Sequence, residues 1–296
     1  MSDNYRAIAS GSLLLKLLDI VILLLEGDKL HCDELQFGFQ EKASTVMCSW
    51  MVTTVVDHFT RQNKPVYGCA MDLSKAFDMV EWTELFGQLR IRKVDPIFLR
   101  LLISMYKNQL CDVKWGNEHS SKFPVKNGVR QGAVSSPILF SVYIDDLIIQ
   151  LRQSGLGCAV GNIFMGCFGY ADDLLLLSAS RSGLQAMVNT CQDFASLKNL
   201  KFSTNSDPEK SKTKCLVFSK RQHERLRVAP IILNGDPLGQ EFYFASPEVK
   251  VKILNSYATS FYGSGLWDLF GHDCEGFYTA WNRAIRQIGM KLFLIA

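Results

Sequence analysis

Ile163-Phe164-Met165-Gly166-Cys167-Phe168-Gly169-Tyr170-Ala171-Asp172-Asp173-Leu174-Leu175-Leu176-Leu177 holds two apolar, strand-like arms that meet at a pair of aspartates. A run of this kind predicts a β-hairpin with two acids at its tip. Adjacent carboxylates are expensive in apolar surroundings, because like charges at close range cannot both stay ionised unless solvated or neutralised by a cation. A metal resolves the conflict. So does a solvated turn, since Asp is common at hairpin tips, and this stretch alone leaves both readings open.

Working outward, Lys64-Pro65 breaks the chain and Val66 to Leu73 reads as a short buried strand with Asp72 near its end. A strand-end carboxylate followed by a tight turn and Phe77 suits a divalent cation held through oxygen beside a bound substrate; the plainer reading is an Asp that caps a helix with Phe77 in the core. Between the two acid sites lies Gly128-Val129-Arg130-Gln131-Gly132-Ala133-Val134-Ser135-Ser136-Pro137. Its glycines permit close backbone approach to a ligand, Arg130 and Gln131 offer donors, and Ser136-Pro137 opens a helix whose free amides favour an anion. An ordinary strand-to-helix loop is the alternative.

Helices are expected at Leu13–Ile22 (as a core helix), Thr45–Phe59, Trp82–Arg90, Pro96–Tyr106, Ser136–Arg152 and Ser182–Leu200, and again beyond Gly239, where Ser246 can cap. Cys111–Trp115 and Ser121–Val125 read as strands around Gly116-Asn117, and Thr213–Ser219 as one more. This order implies an α+β domain with an antiparallel sheet and packed helices, and excludes an alternating βαβ nucleotide fold.

Composition agrees with a folded domain: 296 residues, 48% hydrophobic, 21% charged. A net charge of +3 is too small to argue for nucleic acid, but between Lys198 and Val228 nine Lys or Arg face three acids, a local patch suited to phosphates. Nine cysteines without a CxxC pair read as reduced thiols of an intracellular protein, nuclear or cytoplasmic. Leu13–Leu25 is interrupted by Lys16 and Asp19, so neither a membrane span nor a signal peptide is expected. Five scattered histidines indicate no zinc site, and Asp145-Asp146, within a helical pattern, is read as packing or exposed rather than metal-binding.

Taken together, AMDLSKAFDMVEW (70–82), NGVRQGAVSSPILFSVYIDDL (127–147) and YADDLLLLSAS (170–180), in that order, resemble the reverse transcriptase domain of LINE-like, non-LTR retrotransposons, over about Asn4 to Phe218. The resemblance implies a right-hand polymerase palm with partial fingers and an incomplete helical thumb: fingers elements and helices in 1–62, the palm with interleaved fingers elements in 63–228, and truncated thumb-like helices in 229–296. It implies an RNA-directed DNA polymerase. Asp72 and Asp172, with Asp173 beside them and the Leu73 carbonyl as a backbone ligand, would hold two Mg²⁺ ions, or Mn²⁺. Phe77 is similar to the aromatic gate that excludes a ribose 2′-hydroxyl. Gln131 and Gly132, with Arg130, match the loop that supports template and incoming base; Arg6 matches a fingers arginine that meets the triphosphate. Lys212 best fits a lysine that protonates departing pyrophosphate, although Lys210 and Lys214 compete.

The implied partners are an RNA template, a DNA or RNA primer and dNTPs, with no membrane. The chain departs from the family where Ser135 replaces a usual Leu, and where no aromatic-Leu-Gly signature follows Asn234-Gly235-Asp236-Pro237-Leu238. A copy truncated in the thumb and lacking an endonuclease is the expectation. Two other readings remain, a remnant that only binds RNA and an unrelated Mg²⁺ phosphotransferase; the latter lacks any Walker pattern.

Overall fold

The structure, a computed structural model, describes residues 9, 11–40, 43–219 and 229–244. The expected helix beyond Ser246 lies outside them. In chain order the elements are α1 (Leu13–Glu26), α2 (Thr45–Arg61), β1 (Val66–Asp72), α3 (Trp82–Ile91), α4 (Pro96–Lys107), β2 (Leu110–Cys111), β3 (Lys114–Trp115), β4 (Glu118–His119), β5 (Phe123–Pro124), α5 (Ser136–Gln153), β6 (Ala159–Val160), β7 (Ile163–Phe164), β8 (Cys167–Tyr170), β9 (Asp173–Ser178), α6 (Arg181–Leu197), β10 (Lys214–Ser219), β11 (Ile232–Leu233), β12 (Asp236–Pro237) and β13 (Gly239–Phe244). The mixture is α+β, as the sequence implied.

A five-stranded sheet, ordered β13-β10-β1-β9-β8, organises the domain. Its inner pairs are antiparallel, and β13 joins β10 in parallel. Leu174, Leu175, Leu176 and Leu177 of β9 are all buried. Successive strand side chains point to opposite faces, so four buried leucines in a row mean that both faces are covered there; α2, α5 and α6 pack on the sheet. Each buried leucine contributes about 1.5–3 kcal/mol, which fixes the register that the acids at the strand ends inherit.

The helices begin where the sequence supplies caps. Ser12, Ser44, Asp95 and Ser180 each accept a backbone N–H from the first turn of α1, α2, α4 and α6. Pro lies in the first turn of α4 and α5, where its missing N–H costs nothing.

Three expectations are corrected. The α1 helix forms but is no core helix: Leu14 and Leu24 are 77% and 78% exposed, and only Asp19, Ile22 and Glu26 of α1 are buried. Its apolar stripe suggested burial, yet it is two polar residues that reach the body of the domain, Asp19 toward Arg130 and Glu26 toward the Asp95 amide. From Gly239 to Phe244 the chain is strand rather than helix, in register along Lys214 to Ser219, so among the described residues the sheet continues past residue 228. The arms of the 163–177 run also divide. Ile163-Phe164 pairs with Ala159-Val160, and only Cys167–Tyr170 pairs with Asp173–Ser178.

The described cysteines are free thiols, mostly buried, and burial pushes Cys48 and Cys158 up to about 12. Among the described residues no helix is long and apolar enough to cross a membrane.

Candidate active site

The two acid sites, a hundred residues apart in sequence, meet at one end of the sheet. Asp72 closes β1 and lies directly opposite Asp173, the first residue of β9. Cross-strand partners carry their Cβ atoms about 5 Å apart on one face. Asp172 occupies the two-residue turn between Tyr170 and Asp173, which themselves pair, and it stands at a hollow lined by Leu73, Leu147, Phe194 and Phe202. All three acids are partly exposed, at the end of the sheet where its cover stops.

The backbone around Asp72 is held from both sides. Its N–H donates to the Thr213 hydroxyl at 3.2 Å, and its carbonyl accepts from Ser203 N–H at 2.7 Å. Ser74 N–H donates to the Lys201 carbonyl at 2.8 Å, making an isolated bridge between Leu73 and Phe202. No hydrogen bond among the described residues takes the Leu73 carbonyl. Two carboxylates on facing strands, a third beside them and a free backbone oxygen suit Mg²⁺, which is bound through one or two carboxylates and completes its shell with water and substrate phosphates. Among the described residues no group of three or more His, Cys, Asp or Glu side chains is gathered closely enough to hold a metal ion by itself, so the three acids do not form a ready-made three-carboxylate site, and a cation here would take the rest of its shell from water and substrate phosphates.

Phe77 belongs to a 3-10 turn, Ala76–Met79, entered through Lys75 at φ 51°. Its ring leans on Phe140 of α5 with centroids 4.9 Å apart. The glycine loop is built onto this turn: Gly128 N–H donates to the Val80 carbonyl and Val129 N–H to the Phe77 carbonyl, both at 2.8 Å. Gly128 has φ +86°, and a Cβ there would meet the backbone of Phe77 and Asp78 at 3.0 Å, so only glycine allows the loop to lie this close. Gln131 Nε2 donates to Asp78 Oδ1 at 3.1 Å, and the exposed Gly132 turns the chain at φ 101°. Phe77, Gln131 and Gly132 thus form one local unit.

Arg130 departs from its expected role at the surface of the loop. Its side chain is 9% exposed, with Nη2 3.6 Å from Asp19 Oδ1 and the guanidinium 5.4 Å above the Tyr106 ring. Burial requires such a partner for a charge, and Asp19 holds Arg130 inside. Three of the patch's described lysines are paired: Lys198 with Glu84, Lys210 with Asp207 and Lys214 with Glu241. Lys212 is exposed, with no ion pair among the described residues, beside the Thr213 that bonds Asp72. Arg6 lies outside the described residues.

A family model described as reverse transcriptase (RNA-dependent DNA polymerase) matches residues 2–251. The chain belongs to the reverse transcriptase family. The Retrovirus-related Pol polyprotein from type-2 retrotransposable element R2DM of Drosophila melanogaster is 28% identical over 203 residues, 69% of this chain and 19% of the relative. The RNA-directed DNA polymerase from mobile element jockey of Drosophila funebris is 26% identical over 62% of this chain and 20% of its own length. The chain therefore spans about a fifth of the length of these relatives. The telomerase of Candida tropicalis, solved with a TWJ fragment of telomeric RNA, shares the fold at TM-score 0.50 and 11% identity, over 73% of this chain and 35% of that one. The resemblance to LINE-like reverse transcriptases drawn from the sequence holds.

Around the reverse transcriptase acids the structure adds residues that the motifs did not mark. Gln36, 1% exposed, reaches the hairpin tip: its Oε1 accepts from Ala171 N–H and Gly38 N–H, each at 3.0 Å, and its Nε2 donates to the Ala171 carbonyl at 3.4 Å. Backbone bonds flank it, Phe37 N–H to the Gly169 carbonyl at 2.7 Å and Gly169 N–H to the Leu35 carbonyl at 2.8 Å. Thr213 lies within the lysine run Lys210–Lys214 and Gln36 between Leu35 and Phe37, and a lone hydroxyl or amide in such a setting is a signal too common to single out in one sequence. Asp145 also turns inward. It accepts from Asp33 N–H at 2.7 Å and pairs with Arg92 at 2.5 Å; burial pushes its carboxyl up against the pull of these partners.

Proposed function

We propose that this chain is an RNA-directed DNA polymerase domain that adds deoxynucleotides to a primer 3′-hydroxyl along an RNA template. The single observation that carries the reading is the pairing of Asp72 with Asp173 across β1 and β9, with Asp172 in the adjoining turn. Asp72, Asp172, Asp173 and the Leu73 carbonyl would hold two Mg²⁺ ions, or Mn²⁺ in their place. Bound there, divalent cations lower the pKa of the primer hydroxyl and offset charge on the triphosphate.

The protein's own groups do the rest by position. Phe77, backed by Phe140, presents hydrocarbon where a ribose 2′-hydroxyl would lie and so favours dNTPs. Gln131 and Gly132 shape the floor beneath template and incoming base, and Lys212 donates a proton to departing pyrophosphate. Residues 1–62 supply part of the fingers, and the sheet and its helices the palm. Arg130 serves by bracing the loop from inside.

Primer extension on an RNA template with Mg²⁺ or Mn²⁺ tests this. Wild type should extend the primer and Asp72→Asn and Asp172→Asn should not. Equal extension by all three removes the assignment, and salt-dependent RNA binding without extension by wild type would leave a binding remnant instead.

A further inference from the structure

The hairpin that carries Asp172 and Asp173, closed by the Tyr170–Asp173 pair, is also held from outside its own turn. Ala171 has φ 57°, in the left-handed region where a Cβ crowds the following carbonyl. Asn, Asp or Gly usually fills such a place, yet this turn has alanine. Both polar groups of Ala171 are instead taken by one side chain from far away in sequence, the buried amide of Gln36. The same amide oxygen accepts from Gly38 N–H, so the loop and the hairpin tip share one hydrogen-bonding centre.

The loop is itself anchored. Asp33 N–H donates to Asp145 of α5, and Asp33 Oδ1 accepts from Leu35 N–H at 2.9 Å and from Arg152 at 2.5 Å. Arg92, at the end of α3, bonds both Asp145 and the His31 carbonyl. Gln36 is thereby fixed to two helices on one side and to the acid-bearing turn on the other. Gly38 lets the two backbones touch, since a Cβ on it would lie 2.2 Å from the Ala171 nitrogen.

We propose that Gln36 is a positioning residue of the cation site: by holding Ala171 left-handed it sets where Asp172 and Asp173 stand relative to Asp72. This rests on reading those three acids as the cation site. Gln36 touches neither cation nor substrate. It acts as the outer partner that orients ligands, whose loss ordinarily weakens metal binding about 10–100-fold.

The test measures Mn²⁺ binding to the full 296-residue chain by the loss of the free-ion EPR signal, without substrate. Gln36→Met keeps the volume and removes the hydrogen bonds; it should bind Mn²⁺ about 10-fold or more weakly. Adding Ala171→Gly, which enters the left-handed region freely, should recover part of that loss. Asp172→Asn is the reference: if it binds Mn²⁺ as wild type does, the cation-site reading itself falls. If Asp172→Asn weakens binding and Gln36→Met does not, or if the double variant binds no better than Gln36→Met, only the positioning role is overturned. Should Gln36→Met not fold, Gln36→Asn keeps a buried amide one methylene too short and should show the same weakening. Independently of any variant, the wild-type Ala171 amide should exchange with solvent as slowly as the amides of β9, and exchange at the rate of an open turn overturns the clamp.

Discussion

Gly38→Ala is the smallest change that should separate chemistry from folding in this domain. Gly38 is not among the residues with positive φ, so alanine meets no backbone penalty there and the whole effect is one of contact. Its added Cβ would lie 2.2 Å from the Ala171 nitrogen, 2.9 Å from the Ala171 Cα and 3.0 Å from the Tyr170 carbonyl carbon, where ordinary contact begins at 3.4 Å. Every one of these atoms is backbone, so no side chain can swing away. The loop and the hairpin tip must part by about 1.2 Å, the shortfall of the closest contact. Overpacking of this kind costs about 1–3 kcal/mol of stability, which a domain with this core can absorb. A displacement of about 1 Å at reacting groups costs on the order of 100-fold in rate. Single-nucleotide primer extension at saturating dNTP should therefore show kcat lowered about 100-fold, while urea unfolding stays cooperative with a modestly lower midpoint. Gly87→Ala is the matched control. Nothing lies within 4 Å of its added Cβ and it is interior to α3, so it should stabilise by roughly 1 kcal/mol and leave extension alone. Wild-type kcat in Gly38→Ala, with the fold intact, would refute the argument that the hairpin is positioned through this contact.

Two further outcomes follow from the same geometry. Lys212→Ala should lower kcat by about 10²-fold or more, with Lys210→Ala and Lys214→Ala near wild type because those lysines are spent on Asp207 and Glu241; equal losses in all three would point to charge alone. The Lys29 hydrogen bond and ion pair and the Asp95 amide hold Glu26 below the usual carboxylate range, so its contribution to stability is present above the ordinary glutamate pKa and is lost as pH falls through the depressed folded value. Wild type should therefore be more stable than Glu26→Gln near neutrality, with the gap in urea midpoint closing in acid, and a gap that ignores pH would contradict it.

What the sequence made legible were features whose cause is local. The hairpin at Tyr170–Asp173, the strand ending in Asp72 and the capped helices each announce themselves by pattern, because strand alternation, turn chemistry and capping act over a few residues. The apolar stripe of α1 failed as a guide to burial for the converse reason. Hydrophobic residues tell that a face suits a partner, while which surface covers it is settled by the tertiary arrangement, and here Asp19 and Glu26 turn toward the body of the domain. Arg130 was misplaced similarly: its motif lies on the loop expected at the template, but Asp19, more than a hundred residues earlier, draws its charge inside. The second tier of the site is non-local throughout. Gln36 meets Ala171 across 135 positions, Thr213 meets Asp72 across 141, and Asp33 meets Asp145 across 112. An amide, a hydroxyl and a carboxylate of this kind carry no motif of their own, since each needs only to be polar, of the right length, and in reach. It follows that the acids that can do chemistry are readable in one sequence, whereas the residues that decide where those acids stand become readable only once the strands are paired. The precision of this site should therefore be most sensitive at positions, such as Gln36 and Gly38, that no motif marks.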